Sequence, residues 1–230
     1  MNKVFNKFFL TACAILILSS VQLNAQSIGY DTTFRPNGYA AKLAEFKTKP
    51  IAKKDYVFLG NSITAGTNWS ELLGLPNAKN RGISGDITYG VLDRLEEIIE
   101  RKPRKLFVLI GINDISRNIP DSLILKNYKK LISRVKKGSK KTQIYFYTLL
   151  PVNSSFAKFK NHYSKDTHIL WLNHEIRKMA DKKVVVIDLY PAFVDEEERL
   201  QPELTKDGLH LIKAGYQVWA DLLKNGGYLK

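Results

Sequence analysis

Residues 55–64 read Asp-Tyr-Val-Phe-Leu-Gly-Asn-Ser-Ile-Thr, a short apolar run that ends in a glycine-containing turn. The run from Asp55 to Leu59 has the composition of a strand buried on both faces, which is typical of a parallel sheet covered by helices. Gly60 permits a tight turn directly after the strand. Because the carboxyl ends of parallel strands form the binding edge of such sheets, we expect Ser62 to lie at that edge.

The rest of the chain alternates short apolar runs with helical patterns. Further strands are predicted over residues 105–110, 143–150 and 184–189. Helices are predicted over residues 89–101, 121–137, 166–180 and 214–224, with Asp121 and Asp166 as N-caps. The alternation predicts an α/β fold, in which helices cover a mostly parallel sheet. Residues 26–50 are expected to be a less regular lead-in to a single domain over residues 26–230.

Residues 1–25 have the features of an export signal. Lys3 and Lys7 precede an apolar stretch, Phe8 to Leu18, that is shorter than the roughly 20 residues of a comfortable bilayer crossing. A cleavage site fits after Ala25. The protein is therefore expected to be periplasmic or secreted, without a stable membrane anchor. Cys13, the single cysteine, precedes most of the apolar stretch, which argues against a lipoprotein signal. Its removal would leave no disulfide and no thiolate metal site.

The chain is strongly basic, with a formal net charge of +14. Such a charge favours anionic surroundings such as phospholipid headgroups, acidic glycans or nucleic acid. The lysines come as dispersed pairs at predicted helix ends and turns, where a solvated surface is their ordinary role. No aromatic residues alternate with the basic ones, so no nucleic-acid partner is expected. The charge is compatible with an anionic small-molecule or glycan ester as the substrate.

A second motif, Asp-Gly-Leu-His at residues 207–210, stands in the loop before the last predicted helix. A serine hydroxyl is a poor nucleophile unless a base lies within hydrogen-bonding reach, and His210 can supply that base. In a tight loop, Asp207 is close enough to accept the Nδ1 proton and to turn Nε2 towards Ser62. Taken alone, Asp207 could equally cap a turn, and Ser62 could be the N-cap of a short helix.

Two further glycine-containing loops offer hydrogen-bond donors for the oxyanion of acyl transfer. Arg-Gly-Ile-Ser-Gly-Asp at residues 81–86 contains Gly85, whose backbone N–H has no side chain to obstruct it. Gly-Ile-Asn-Asp at residues 111–114 contains Asn113, whose side-chain amide can donate. Gly85 is equally compatible with a bend in a strand-to-helix loop, and Asn113 with an Asx turn that caps a helix.

The four motifs stand in the same order as in the SGNH hydrolase superfamily, also called GDSL-type lipases and acylhydrolases, which residues 55–224 resemble. The stretch 207–219 is most similar to the bacterial small-esterase branch, and the motif at 81–86 to the platelet-activating-factor acetylhydrolase type. One residue departs from the family pattern, since the usual Gly-Asp-Ser has Asn61 in place of Asp. Asparagine keeps the size and the acceptor oxygen but not the charge, so we expect activity to survive.

The resemblance implies a flavodoxin-like fold, a three-layer α/β/α sandwich around a mostly parallel five-stranded sheet, and the chemistry of a serine esterase. Ser62 would be the nucleophile, His210 its base, and Asp207 the carboxylate that orients the base. The backbone N–H of Ser62, the backbone N–H of Gly85 and the side chain of Asn113 would form the oxyanion hole. No metal or organic cofactor is implied.

The remaining candidates for chemistry are weaker. His162, His168 and His174 recur at a spacing that does not place them on one helix face. We interpret them as loop and surface residues and expect no metal site. The acidic run at residues 195–198 lacks the spacing of a calcium loop and is interpreted as solvated.

Together these features predict a serine esterase that removes short acyl groups, acetyl above all, from a carbohydrate through an acyl-enzyme intermediate. A domain this small has no room for a large lid, so an open and shallow site is expected. An alternative within enzymes is a lysophospholipase or a platelet-activating-factor-acetylhydrolase-like phospholipid esterase, which the positive charge would suit. An alternative of another class is a basic binding module that keeps the fold without the chemistry. The oligomeric state stays open.

Overall fold

In the computed structural model, residues 29–230 form an α/β fold with helices on both sides of one sheet. The strands are β1 (Tyr56–Gly60), β2 (Ala78–Gly82), β3 (Lys105–Leu109), β4 (Gln143–Tyr147) and β5 (Val184–Ile187). The helices are α1 (Tyr39–Thr48), α2 (Ser62–Ala65), α3 (Trp69–Leu73), α4 (Thr88–Asp93), α5 (Leu95–Arg101), α6 (Ile112–Ser116), α7 (Asp121–Gly138), α8 (Asp166–Arg177) and α9 (Lys213–Asn225). The strand order is β2-β1-β3-β4-β5, and every neighbouring pair is parallel. The predicted α/β fold with a five-stranded sheet is confirmed.

The structure describes residues 29–230, so the predicted signal peptide at residues 1–25 lies outside the described residues. Within the described part, none of the helices is both long and apolar enough to cross a membrane.

An aromatic layer holds the first strand in place. Phe58 of β1 and Phe107 of β3 stand side by side in register, with their rings stacked 4.7 Å apart. Trp69 of α3 stacks on Phe58 at 4.1 Å, and Trp219 of α9 packs edge-on against Trp69 at 4.9 Å. Each such pair adds about 0.5–1.5 kcal/mol beyond the burial of its area. The layer therefore fixes β1, and with it the turn that follows, against α3 and α9.

The sequence locates four of the five strands but not β2, whose residues are Ala-Lys-Asn-Arg-Gly. β2 is the edge strand beside β1, and its polar side chains find partners close by. The amide of Asn80 donates to the backbone oxygens of Thr64 and Thr67, and the buried Arg81 pairs with Glu97 at 2.8 Å. A strand whose polar groups are satisfied in this way has no apolar pattern from which it could be predicted.

The helix predicted over residues 89–101 and the irregular lead-in predicted over residues 26–50 both need correction. The helix predicted over residues 89–101 is interrupted at Arg94, which leaves the helical conformation (φ −100°, ψ 9°) and separates α4 from α5. The lead-in predicted to be less regular contains α1, a helix of 10 residues.

The predicted N-caps and one predicted end also need correction. Asp121 and Asp166 lie in the first turns of α7 and α8, whose N-caps are Pro120 and Lys165. Carboxylates are favourable in a first turn because they face the positive end of the helix dipole. Helix α8 ends at Arg177, short of the predicted residue 180.

Candidate active site

Ser62, His210 and Asp207 form a continuous hydrogen-bonded chain at the carboxyl edge of the sheet. Nε2 of His210 lies 3.0 Å from Oγ of Ser62, and Nδ1 lies 3.0 Å from Oδ2 of Asp207. Ser62 and His210 are 148 residues apart in the chain, so the fold brings them together. This is the arrangement in which an imidazole can accept a hydroxyl proton.

Asp207 is held in one orientation by its own loop. Its Oδ1 accepts the backbone N–H of Leu209 at 3.1 Å and that of His210 at 2.8 Å, while Oδ2 faces the imidazole. Burial acts to raise the pKa of Asp207, but the hydrogen bonds from the backbone and ring of His210 outweigh it and hold that pKa below its ordinary value. The ionised carboxylate can only accept, so Nδ1 of His210 carries the proton and Nε2 faces Ser62 as an acceptor.

Ser62 is the first residue of α2, directly after the turn that ends β1. Asn61 is the N-cap of this helix, because its Oδ1 accepts the backbone N–H of Ile63 at 3.0 Å. The alternative in which Ser62 caps the helix is therefore wrong. Tyr216 of α9 donates its hydroxyl proton to the backbone oxygen of Ile63 at 2.8 Å. The turn is thus bound to the last helix of the chain, and its position is fixed from two sides.

The loops after β2 and β3 carry Gly85 and Asn113. Gly85 has φ +79°, a left-handed conformation that favours glycine. Asn113 is buried, and its Nδ2 donates a proton to the backbone oxygen of Asp86 at 3.0 Å, which joins the two loops. An amide nitrogen has two N–H groups, so the second is available to a ligand. Gly85 and Asn113 line one pocket of about 670 Å³.

His162 lies against Asn113, so its interpretation as a surface residue is wrong. Its Nε2 is 3.2 Å from Oδ1 of Asn113. Burial, together with the charges of His210 and Arg117, lowers the pKa of His162 to about 4. The ring is neutral at neutral pH, and Nε2 must carry the proton because Oδ1 can only accept.

His168 and His174 are exposed, as predicted. Between residues 29 and 230, no group of three or more His, Cys, Asp or Glu side chains is placed to hold a metal ion.

Phe159 links the hydrogen-bonded chain to the pocket. Its ring packs edge-on against His210 at 5.1 Å and against His162 at 5.8 Å. Since Phe159 and His162 both line the pocket with Asn113, the pocket opens beside the imidazole of His210. The structure therefore brings the predicted base and the predicted oxyanion donors to one place.

Comparison with known proteins shows the family of the chain. The model of the GDSL-like Lipase/Acylhydrolase family matches residues 58–218. The chain belongs to this family. This is a family of ester hydrolases.

Among solved structures, a Streptococcus pneumonia protein whose name refers to platelet activating factor is 30% identical, with a TM-score of 0.72 over 84% of this chain and 91% of that one. A GDSL-like lipase from Bacteroides thetaiotaomicron is 26% identical, with a TM-score of 0.71 over 82% of this chain and 96% of that one. An acetyl xylan esterase shares the fold at 22% identity, with a TM-score of 0.62 over 75% of this chain and 98% of that one. No curated protein matches this chain in sequence.

Asn61 stands where the family usually has Asp. The oxygen of Asn61 accepts the N–H of Ile63, so the acceptor function needed by the turn is present. Its Nδ2 is buried and has no hydrogen-bond partner among residues 29–230. The substitution therefore leaves the cap of α2 intact and costs one buried unsatisfied amide group.

A buried ion pair joins the loops at the carboxyl edge of the sheet. Arg94 donates to Oδ2 of Asp86 at 2.9 Å, and to the backbone oxygens of Arg81 at 2.8 Å and Gly60 at 2.9 Å. Burial raises the pKa of Asp86, while the charge of Arg94 acts in the opposite direction. One guanidinium thus ties the ends of β1 and β2 to the loop that carries Gly85, and the break between α4 and α5 serves this contact.

Replacing His162 with alanine is expected to lower kcat about tenfold and to change KM little, because one hydrogen bond that orients the Asn113 amide is lost. Glutamine at position 162 retains an N–H donor and should recover part of kcat. Steady-state kinetics on p-nitrophenyl acetate give the two constants separately. Replacing the exposed His174 with alanine is the control. A rise in KM with kcat unchanged would contradict the positioning role.

Asp114 should make the stability of the protein depend on pH. The buried carboxyl accepts the backbone N–H of Thr88 at 3.0 Å and its hydroxyl proton at 2.5 Å, yet burial raises the pKa of Asp114 to about 7. A pKa raised above the unfolded value of 3.8 means that the folded state keeps a proton that the unfolded chain loses. This contribution to stability is complete below about pH 4 and is lost as the pH rises through about 7.

The matched variant is Asp114→Asn, which cannot titrate. Urea unfolding gives the free energy of unfolding of both proteins. The value for the wild type minus the value for the variant should fall as the pH rises from about 4 to about 7. A difference that stays constant over this window would contradict the raised pKa.

Proposed function

We propose that this protein is a serine esterase in which Ser62 is the nucleophile, His210 the base and Asp207 the residue that orients the base. The observation that carries this proposal is the unbroken hydrogen-bonded chain from Asp207 through His210 to Ser62. Nε2 takes the hydroxyl proton as Oγ bonds to the ester carbonyl carbon, and the carbonyl oxygen becomes an oxyanion. The same proton then passes to the leaving alcohol. Water deprotonated by His210 releases the acid and restores Ser62.

The proposed oxyanion donors are the backbone N–H groups of Ser62 and Gly85 and the side chain of Asn113. Fixed donors stabilise the charge that develops on the carbonyl oxygen, because they need no reorganisation during the reaction. The contacts of Asn113 with Asp86 and His162 support this role, since they hold the amide in one orientation before substrate binds.

We further propose that the acyl group is short, acetyl above all, and that the alcohol is a carbohydrate. Among the described residues, Phe159 is the one large apolar side chain that lines the pocket, so the pocket has no apolar channel for a long acyl chain. Acetyl xylan esterases share this fold, which is compatible with an acetylated sugar as substrate.

A phospholipid esterase is the second candidate. The net charge of +14 favours anionic lipid surfaces, and a structural neighbour is named for platelet activating factor. A third candidate, which is not an enzyme, is a basic binding module. In that case the hydrogen bonds through His210 would have no catalytic effect.

A series of p-nitrophenyl esters from acetyl to dodecanoyl separates these functions. We expect kcat/KM to be highest for the acetyl ester and to fall as the acyl chain lengthens. Acetylated xylo-oligosaccharides and lysophosphatidylcholine then test the two alcohol groups directly. A kcat/KM that rises with chain length would favour the phospholipid esterase, and hydrolysis of no ester would favour the binding module.

A further inference from the structure

The pocket beside Asn113 carries an excess of positive charge. Arg117, Lys158 and Lys160 line it, and Asp31 is the acidic residue among its described lining residues. Asp31 lies in a turn, where its Oδ1 accepts the backbone N–H of Thr33 at 2.8 Å and the hydroxyl proton of the same residue at 2.7 Å. The single negative charge of Asp31 offsets one of these three positive charges, so the lining of the pocket keeps two positive charges in excess.

Arg117 differs from the other buried or half-buried arginines of residues 29–230. Those others each form an ion pair with a carboxylate: Arg35, Arg81, Arg94, Arg134 and Arg199. The half-buried guanidinium of Arg117 has no carboxylate within ion-pair distance and donates no hydrogen bond in the described part of the chain. A guanidinium in this position has its five N–H donors available to a ligand.

The position of Arg117 is also fixed. Its guanidinium lies over the ring of Phe34, 3.2 Å from the centroid. Stacking of this kind occupies the face of the guanidinium and leaves its edge, where the N–H groups lie, free to bind. Arg117 directly follows α6, the helix that carries Asn113, so it stands next to the proposed oxyanion hole.

We propose that Arg117, assisted by Lys158 and Lys160, binds an anionic group that the substrate carries near its scissile ester. The planar fork of arginine matches a carboxylate or a phosphate, and two parallel hydrogen bonds would orient the ester as well as attract it. This inference rests on the proposed esterase function. It assigns the substrate class as an ester with a neighbouring carboxylate or phosphate.

Paired aryl acetates test the proposal. Phenyl acetate is neutral, 4-acetoxybenzoate carries a carboxylate, and 4-acetoxyphenyl phosphate carries a phosphate, so the two charged esters distinguish the two anions. The wild type should prefer at least one charged ester through a lower KM. In Arg117→Gln, the ratio of kcat/KM for that ester to kcat/KM for phenyl acetate should fall by about tenfold to a hundredfold. Arg117→Lys, which keeps the charge without the fork, should give an intermediate ratio.

Arg104→Gln is the matched control. Arg104 also lies over an aromatic ring, that of Tyr56 at 5.9 Å, but it is exposed and directly precedes β3, at the opposite edge of the sheet. This variant should keep the wild-type ratio. A wild type without preference for either charged ester, or an unchanged ratio in Arg117→Gln, would overturn the proposal.

Failure of the esterase function would look different. In that case no ester is hydrolysed, and the anion site is measured instead by calorimetric binding of 4-hydroxybenzoate and 4-hydroxyphenyl phosphate, the products of the charged esters. The Kd of the better-bound product should rise by about tenfold or more in Arg117→Gln. Equal binding by the wild type and this variant would overturn the anion site, whatever the outcome of the rate measurements.

Discussion

Replacing Ser62 with alanine is expected to lower kcat for p-nitrophenyl acetate by about 10⁴- to 10⁶-fold. The Oγ of Ser62 is the hydroxyl that lies within hydrogen-bonding distance of Nε2 of His210, at 3.0 Å. Without it, the imidazole has no nucleophile to activate, and the residual rate comes from the oxyanion donors and from substrate binding. The rate is measured at saturating substrate, and urea unfolding checks that the variant is folded.

Ser133→Ala is the matched control, because Ser133 is exposed on α7 and should contribute nothing to the rate. A fluorophosphonate should label the wild type on the peptide that contains Ser62, and mass spectrometry should find no label there in the alanine variant. Near-wild-type hydrolysis by Ser62→Ala would show that another group attacks the ester, and the proposed mechanism would be wrong.

The strands and turns that carry the site could be predicted because local sequence determines them. β1 and β3 are buried throughout, which requires nearly continuous apolar runs. Gly85 and Gly208 adopt a positive φ that other residues rarely adopt. The glycines in the sequence therefore indicate where these loops lie. Parallel connectivity places every strand end at one edge of the sheet, and this allows loops distant in sequence to meet.

Contacts between distant polar residues could not be predicted in the same way. His162 reaches Asn113 across 49 residues, and Arg94 reaches the backbone of Gly60 across 34 residues. No spacing rule connects either pair, because each contact depends on how two loops pack in three dimensions. In the sequence, Arg94 looks like a polar position within one helix, and its burial between two strand ends appears only in the fold.

Replacing Asp207 with asparagine is expected to lower kcat by about 10⁴-fold, and by more than replacement with alanine. The reason lies in the two backbone N–H groups, from Leu209 and His210, that bind Oδ1. Asparagine must turn its one oxygen towards them, because these donors cannot face an amide NH₂ group. The NH₂ group then occupies the position of Oδ2 and donates to Nδ1 of His210.

An imidazole whose Nδ1 accepts a hydrogen bond carries its proton on Nε2, and a protonated Nε2 cannot take the proton of Ser62. Alanine at position 207 removes the carboxylate but imposes no tautomer, since water can accept from Nδ1. The loss in Asp207→Ala should therefore be the smaller of the two. Both values of kcat are measured on p-nitrophenyl acetate, with thermal unfolding to compare the variants. If the asparagine variant were as active as the alanine variant, the backbone donors would not dictate the orientation of residue 207, and this account of the tautomer would be wrong.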